Sequence, residues 1–256
     1  MAEKEKNSAV REGEGGKGGG KGCIYYVASD MHQGDGSSQD TFTKAHAERL
    51  EEEAADLLDK KEEGAKIILG GDIFDLWRWG RKPLTVHEKS VKTLAMLADL
   101  LLLGNHDAEL GRLAGFTVAE RAFLDGIYLS HGHEFDDLNG RWQWVGKAAT
   151  KVATAAGKVS TGLEDWLTGI GTKIESSGKG RNSPDGQTDE RGIEFASTWH
   201  DLWLLVLGHT HRAKVISLKH PLDANKPYLY ANTGTWQKDG WLKIDTGAKK
   251  VSFWRL

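Results

Sequence analysis

Five polar motifs follow one another along the chain, and each comes at the end of an apolar run. They are Asp30-Met31-His32, Gly71-Asp72-Ile73-Phe74-Asp75, Gly104-Asn105-His106-Asp107, His131 and Gly208-His209-Thr210-His211. Carboxylate, imidazole and amide groups are ligands that divalent transition metals take in proteins. A series of such groups delivered to strand ends is what a two-metal hydrolytic site requires. The sequence therefore predicts metal-dependent hydrolysis.

The spacing inside two of these motifs favours ligand pairs. Asp30 and His32 are two residues apart, so in an extended segment both side chains leave the same face and can reach one ion. His209 and His211 have the same spacing and the same expected consequence. A single pair of this kind also occurs at an ordinary polar strand end. That interpretation does not explain the whole ordered series.

Composition excludes several other classes of protein. The 256 residues suggest one large domain, or one domain with an insertion, and the formal charge of −3 gives no global basic field for nucleic acid. The single cysteine, Cys23, cannot form a bridge within the monomer, which fits a reducing cytoplasm. No apolar run approaches the ~20 residues of a membrane-spanning helix, and the N-terminus lacks a signal-peptide hydrophobic region. We therefore expect a cytoplasmic protein, of unknown oligomeric state.

The elements that must position the motifs alternate between strands and helices. Continuous apolar runs predict strands covered on both faces; they span residues 23–28, 67–69, 100–103, 127–129 and 202–207. Helical patterns fill residues 44–62 and 85–98, the second opening with Thr85 and Glu88 in capping-box spacing. Short runs within 215–254, separated by turn residues, suggest an antiparallel meander.

This order predicts an α/β (α+β) domain over residues 23–256, with two sheets packed together and helices outside. Residues 1–22 are rich in glycine and charge, so we expect a disordered tail there. Residues from about 138 to 200 lack a clear strand pattern. They show two apolar helical faces and a polar loop at 176–190, which predicts a helical insertion, or lid, able to cover the site.

The ordered motifs DxH, GDxxD, GNHD, H and GHxH resemble those of the calcineurin-like metallophosphoesterase superfamily. The segment Asn232-Thr233-Gly234-Thr235-Trp236 is similar to a late motif of the same family. The resemblance implies a four-layer double β-sandwich flanked by helices. It also implies two ligand sets that share Asp72: the first is Asp30, His32, Asp72 and His211, and the second is Asp72, Asn105, His131 and His209.

Mixed oxygen and nitrogen ligands suit Mn, Fe, Zn or Co better than Ca. We expect two divalent transition metal ions, with manganese the first expectation. The resemblance implies a metal-bridging hydroxide that attacks phosphorus in line. It places His106 outside the ligand sets and facing the phosphate, where an imidazolium would stabilise charge or protonate the leaving group.

Three further residues receive supporting roles. We expect Asp107 to orient the His106 imidazole and Asp75 to orient a metal ligand, with loop stabilisation as the alternative for both. In His131-Gly132-His133 the family pattern favours His131 as the ligand. His133 then contacts the substrate, supports a metal ligand without binding the metal itself, or is purely structural.

The substrate is the open part of the prediction. The long gap before His209 and the sequence Asp72–Trp77 resemble the UDP-2,3-diacylglucosamine hydrolase branch, in which a helical lid holds acyl chains. Basic residues of the insertion would suit an anionic amphiphile or a membrane edge, or simply a solvated helix; they are Arg141, Lys147, Lys151 and Lys158. That branch carries arginine where this chain has His106, which points toward broader phosphodiesterases and phosphatases.

We therefore expect a lid-bearing phosphoesterase or pyrophosphatase for a phosphorylated small molecule, either nucleotide- or lipid-linked, with possible peripheral membrane contact. A metal-dependent nuclease or cyclic-nucleotide phosphodiesterase is the alternative; a nucleic acid partner is disfavoured because the chain has no strongly basic stripe. A non-catalytic scaffold on the same fold ranks third, since no motif element is missing.

Overall fold

Two six-stranded sheets form the framework of the part of the chain that the structure describes. The structure is a computed structural model, and it describes residues 9–11, 22–110, 115–136, 186–220, 223 and 226–255. The strands are β1 (Ala9–Arg11), β2 (Ile24–Ala28), β3 (Lys66–Leu69), β4 (Leu100–Leu102), β5 (Val118–Ala119), β6 (Arg121–Leu124), β7 (Ile127–Ser130), β8 (Leu204–Leu207), β9 (Lys214–Lys219), β10 (Pro227–Asn232), β11 (Trp241–Asp245) and β12 (Lys250–Trp254).

The helices lie between these strands in the chain. They are α1 (Lys44–Glu62), α2 (Leu76–Trp79), α3 (Lys82–Val86), α4 (Glu88–Leu97), α5 (Gln187–Ala196) and α6 (Trp236–Asp239). Two short 3₁₀ helices cover Ala108–Leu110 and His133–Phe135. Among the described residues, no helix combines the length and apolarity needed to cross a bilayer.

The strand order explains how the motifs come together. The first sheet has the order β1-β6-β7-β8-β10-β9, and the second has the order β12-β11-β2-β3-β4-β5. β2, β3 and β4 are parallel neighbours, as are β7 and β8. Parallel neighbours end at the same edge of a sheet, so the residues that follow them are brought side by side.

Almost every residue of the central strands is buried, because each sheet is covered on both faces. In β2, Tyr26 and Ala28 pack in the cluster that contains the apolar faces of α1 and α4. Tyr25 and Val27 pack against residues of the first sheet. The outer face of the first sheet packs against α5. These four layers, helix, sheet, sheet and helix, confirm the predicted double sandwich.

Two predicted elements differ from the structure. The segment predicted as one helix over 85–98 is two helices, α3 and α4. α3 begins earlier, at Lys82, with Pro83 in its first turn, and the backbone leaves helical geometry at His87. Thr85 lies inside α3, so the predicted capping box with Glu88 is wrong. The late strands are not one meander: β9 and β10 pair in the first sheet, whereas β11 and β12 pair in the second. α6 carries the chain between the sheets.

The predicted tail and insertion fall mostly outside the described residues. Within the predicted tail, Ala9–Arg11 forms β1, a short strand parallel to β6. The other tail residues up to residue 21 lie outside the described residues, so their disorder stays a prediction. Of the predicted insertion, residues 138–185 are not described. The part that is described departs from the predicted polar loop, since residues 187–190 belong to α5.

A buried carboxylate ties α1 to the segment around α6. Glu53 accepts hydrogen bonds from the indole N–H of Trp236 (2.9 Å), the indole N–H of Trp241 (2.8 Å) and Nε of Arg49 (2.7 Å). The Arg49 guanidinium also lies 4.5 Å from the centre of the Trp236 ring. Glu53 therefore joins the helical layer to the point where the chain passes from one sheet to the other.

Replacing Glu53 should destabilise the fold strongly. Glu53→Ala leaves two buried indole donors and the Arg49 guanidinium without their acceptor, which should lower the free energy of unfolding by about 3–5 kcal/mol. Urea unfolding measures this, with Glu52→Ala as the control because Glu52 is exposed on the same helix turn. Equal unfolding midpoints for the two variants would show that the Glu53 contacts contribute nothing.

Candidate metal centre

All five motifs meet at one edge of the two sheets. Asp30, Asp72 and Asn105 follow β2, β3 and β4, while His131 and His209 follow β7 and β8. Backbone hydrogen bonds join the first two loops, from Asp30 N to Gly71 O and from His32 N to Asp72 O, each 3.0 Å long. The parallel strands thus place side chains from five loops around one small volume.

Three overlapping groups of ligand atoms occur there, each with all its atoms within 4.8 Å of one another. The groups are Asp30 with His32 and His211, His32 with Asp72 and His106, and Asp72 with His131 and His209. Nε2 of His211 lies 3.0 Å from Asp30 Oδ1, and Nε2 of His131 lies 3.0 Å from Asp72 Oδ2. The first and third groups contain six of the seven predicted ligands and leave out only Asn105.

Three buried polar atoms in these loops fit a bound cation. Asp30 Oδ1, Asn105 Oδ1 and His131 Nε2 make no well-formed hydrogen bond among the described residues, although His211 lies close to the Asp30 oxygen and Asp72 lies close to His131 Nε2. Buried polar atoms are normally satisfied, so each requires an explanation. Carboxylate oxygen, amide oxygen and imidazole nitrogen are all metal donors. The residues present therefore suit divalent transition metal ions.

The backbone of these loops is strained. Among the described residues, the non-glycine residues with positive φ number seven, and five are predicted ligands; these five are Asp30 (55°), His32 (46°), Asp72 (52°), His209 (66°) and His211 (55°). Such conformations cost of order 1–3 kcal/mol each and concentrate at functional sites. The extended geometry predicted for the two ligand pairs is therefore wrong. Asp30 and His32 still share one group of ligand atoms, whereas His209 and His211 belong to different groups.

Close packing of glycines against the loops explains two motif positions. A Cβ atom at Gly104 would collide with the Asp72 carboxylate. A Cβ atom at Gly208 would lie 2.6 Å from Ser29 Oγ and 2.7 Å from Asp30 Oδ2. Glycine lets the backbones of these loops approach the buried carboxylates directly.

The electrostatics of the cluster are set by two fully buried carboxylates. Burial alone would raise the pKa of Asp30 and Asp72, but His131, together with His211 beside Asp30 and His106 beside Asp72, lowers both below their ordinary value. Conversely, burial lowers the pKa of His131, but Asp72 and Asp30 outweigh it and raise the value to about 10. The two buried carboxylates therefore stabilise positive charge beside them, either as protons on the imidazoles or as bound metal ions.

His106 is held by Asp75. Nδ1 of His106 lies 2.8 Å from Asp75 Oδ1, and its ring contacts those of His32 and Trp77 at 4.8 and 5.2 Å between centres. Burial would lower the pKa of His106, but Asp72 and Asp75 raise it to about 9. A protonated imidazole held in one orientation can donate a proton or stabilise negative charge from its other nitrogen.

Asp107 does not contact this imidazole, so the expectation that it orients His106 is not met. Its two oxygens instead accept from the backbone N–H groups of Gly104 (2.6 Å) and Ile73 (2.8 Å). Burial and the Asp72 charge raise the Asp107 pKa to about 6. Asp107 turns inward and joins two loops, and the orienting contact belongs to Asp75.

His133 lies beside the predicted ligands. Its ring centre is 5.6 Å from that of His131, and its buried Nδ1 makes no hydrogen bond among the described residues. Burial and the positive charge of His131 lower the His133 pKa to about 4, so this imidazole is neutral at pH 7. Its role in substrate contact stays a prediction.

Two supporting residues were absent from the sequence prediction. Asp136 Oδ2 lies 3.0 Å from Nε2 of His209. Ser29 Oγ donates to Asp30 Oδ2 and lies 2.6 Å from Thr233 Oγ1. Ser29 precedes the first motif directly and could have been suspected from that position. Asp136 follows His131 by several residues and carries no spacing signal.

The chain matches a family model described as calcineurin-like phosphoesterase over residues 25–236. A comparison with curated proteins found no match. Similar solved structures include a metallophosphoesterase from Sphaerobacter thermophilus (17% identity, 92% of this chain and 88% of that chain covered, TM-score 0.37). They also include a dimetal phosphatase from Danio rerio (12% identity, 87% and 92% covered, TM-score 0.42).

Metal binding should release protons and strengthen as pH rises. The His131 pKa near 10 keeps the imidazole protonated at pH 7 without a cation, and an ion can bind this nitrogen only after the proton leaves. Calorimetric titration with Mn²⁺ should show tighter binding at pH 8.5 than at pH 6.5. The heat at pH 7 should differ between buffers of different ionisation enthalpy.

His131→Gln is the matched variant, and it should release about one proton fewer per chain. Affinity that is independent of pH, with equal heats in all buffers, would contradict the charge balance described for this cluster.

Proposed function

The chain belongs to the calcineurin-like phosphoesterase family, and we propose that it is a binuclear-metal-dependent hydrolase of phosphoester or pyrophosphate bonds. Family membership implies a phosphoester hydrolase; the binuclear centre and the type of bond are our proposal. The observation that carries it is the convergence of predicted ligands from five loops around two buried carboxylates.

We assign Asp30, His32, Asp72 and His211 to one ion, and Asp72, Asn105, His131 and His209 to the other. When bound by these residues, two divalent cations would supply Lewis-acid chemistry for a phosphoryl group and for a water nucleophile. The nitrogen and oxygen donors favour Mn, Fe, Zn or Co. Asp72 suits the shared position because a carboxylate offers two oxygens, and because Asp72 shares one group of ligand atoms with His32 and another with His131 and His209.

His106 is proposed as the acid and charge stabiliser. Asp75 accepts a hydrogen bond from its Nδ1, which directs the remaining N–H of the imidazolium away from Asp75. From there the proton can pass to the oxygen of the leaving group as the bond to phosphorus breaks. The ring of His106 makes a T-shaped contact with that of His32, and the two share a group of ligand atoms with Asp72. We assign His106 as the acid rather than as a ligand because Asp75 holds its Nδ1.

The surface next to His106 supports an anionic substrate with a flat ring. The half-buried ring of Trp77 lies beside the imidazole, and the Arg78 guanidinium lies 4.8 Å from the centre of the Trp79 ring. Arg81 and Lys82 are exposed on the same segment. Aromatic faces stack on bases and cations attract phosphates, so we favour a nucleotide-linked phosphoester or pyrophosphate.

The proposal also includes a lid, a lipid-linked substrate as the alternative to a nucleotide-linked one, peripheral membrane contact and a cytoplasmic location. Residues 138–185, which would form most of the lid, lie outside the described part of the chain.

The enzyme should hydrolyse bis-p-nitrophenyl phosphate with Mn²⁺ and lose this activity after chelation. His106→Asn should lower kcat by about 10²–10³-fold, because it removes a charged donor that stabilises the transition state, while the metal content stays at that of the wild type. Asp75→Asn should shift the alkaline limb of the pH–rate profile to lower pH, because Asp75 raises the His106 pKa. Activity falls as His106 loses its proton, so a lower pKa brings that loss to lower pH.

Asp59→Asn is the control, since Asp59 is exposed on α1. No metal-dependent hydrolysis by the wild type would contradict the proposed function. Loss of metal from His106→Asn would instead make His106 a ligand, and an unshifted alkaline limb in Asp75→Asn would exclude the role proposed for Asp75.

A further inference from the structure

A buried ion pair lies behind the metal loops, on the outer face of the first sheet. Asp189 of α5 is fully buried. Its Oδ2 accepts from Nζ of Lys214 on β9 at 2.9 Å, and its Oδ1 accepts from the hydroxyl of Tyr230 on β10 at 2.7 Å. One helix of the outer layer and two strands of the first sheet therefore meet at one carboxylate.

The carboxylate sets the direction of a chain of hydrogen bonds. A carboxylate paired with lysine only accepts, so the Tyr230 hydroxyl gives its proton to Asp189. The Tyr230 oxygen is then an acceptor for Nδ2 of Asn232, 3.3 Å away. This arrangement turns the amide nitrogen of Asn232, rather than its oxygen, toward Tyr230.

Asn232 connects this chain of hydrogen bonds to the Gly208–His211 loop. Its Nδ2 lies 2.7 Å from Gly208 O and 3.1 Å from Thr210 Oγ1, while its Oδ1 accepts from Gly234 N at 3.0 Å. With the Tyr230 oxygen, the two N–H groups of the amide face three acceptors, so one N–H is shared between two of them. The amide orientation is thus fixed at both ends. With the nitrogen facing the loop, Asn232 holds the two residues that flank His209.

This loop requires external restraint. His209 and His211 have φ values of 66° and 55°, which non-glycine residues adopt only when their surroundings impose them. α5 packs against the start of the same loop, because a Cβ at Gly192 would lie 2.7 Å from Leu207 Cδ1. The helix that carries Asp189 therefore touches the strand end from which the loop begins.

We infer that Asp189, Tyr230 and Asn232 form a hydrogen-bond relay that positions the Gly208–His211 loop, and with it the imidazoles of His209 and His211. These three are positioning residues that act on the metal centre through the loop. The inference rests on the proposed function, since it assumes that His209 and His211 bind metal.

The chain offers a matched pair of tyrosines for the test. Tyr228 lies two residues before Tyr230 on β10 and is equally buried, but its hydroxyl has no hydrogen-bond partner among the described residues. Tyr230→Phe should weaken binding of at least one Mn²⁺ ion by about 10- to 100-fold, as loss of outer-shell support typically does. Tyr228→Phe should bind Mn²⁺ within about twofold of the wild type, since it removes no bond of the relay.

Asp189→Asn should act in the same direction as Tyr230→Phe. The double variant should lose no more Mn²⁺ affinity than the weaker-binding single variant, because both changes interrupt the same chain of hydrogen bonds. Calorimetric titration gives the affinities, and urea unfolding of each variant measures stability in parallel. If Tyr230→Phe does not fold, Asp189→Asn is judged by the same criteria.

The relay is overturned if Tyr230→Phe lowers the urea midpoint but binds Mn²⁺ as the wild type does. It is also overturned if Tyr228→Phe weakens binding equally, which would indicate a general effect of the core. Failure of the wild type to bind Mn²⁺ would contradict the proposed function itself, so the two failures are distinguishable.

Discussion

Two buried carboxylates, Asp30 and Asp72, constrain the rest of this structure. They follow neighbouring parallel strands and are almost completely removed from solvent. An isolated buried charge costs several kcal/mol, so both must be compensated by nearby positive charge. The imidazoles of His131 and His211 lie 3.0 Å from one or the other. The protons on these imidazoles, or metal cations bound in place of those protons, supply the positive charge that compensates the two buried carboxylates.

The architecture serves this arrangement. Parallel strands of both sheets end at one edge, and the loops there adopt positive φ at predicted ligands, a strain that surrounding contacts must offset. Those contacts come from several layers: Ser29 and Thr233 beside Asp30, Asp136 beside His209, and the relay from Asp189. A site strained in this way depends on a rigid support, which the four packed layers provide.

Much of the framework could be predicted because apolar runs report burial directly. The ends of β2, β3, β4, β7 and β8 locate the motifs, and the motif order indicates the family. Finer geometry could not be predicted, since single backbone dihedrals set where a side chain points. Asp107 and Asp75 show this best: Asp107 is the neighbour of His106 in sequence but turns inward, whereas Asp75, 31 residues away, contacts the imidazole. The division of strands β9 to β12 between the two sheets likewise depends on α6. No local sequence pattern reveals the tertiary contacts that place this helix.

Anomalous diffraction from crystals soaked in Mn²⁺ tests the binuclear centre most directly. Two anomalous peaks per chain are predicted about 3.5–4 Å apart, with Asp72 in contact with both. Asp30, His32 and His211 should surround one peak, and Asn105, His131 and His209 the other. A single peak, two peaks without a shared Asp72, or no peak at this edge of the sheets would contradict a binuclear metal centre.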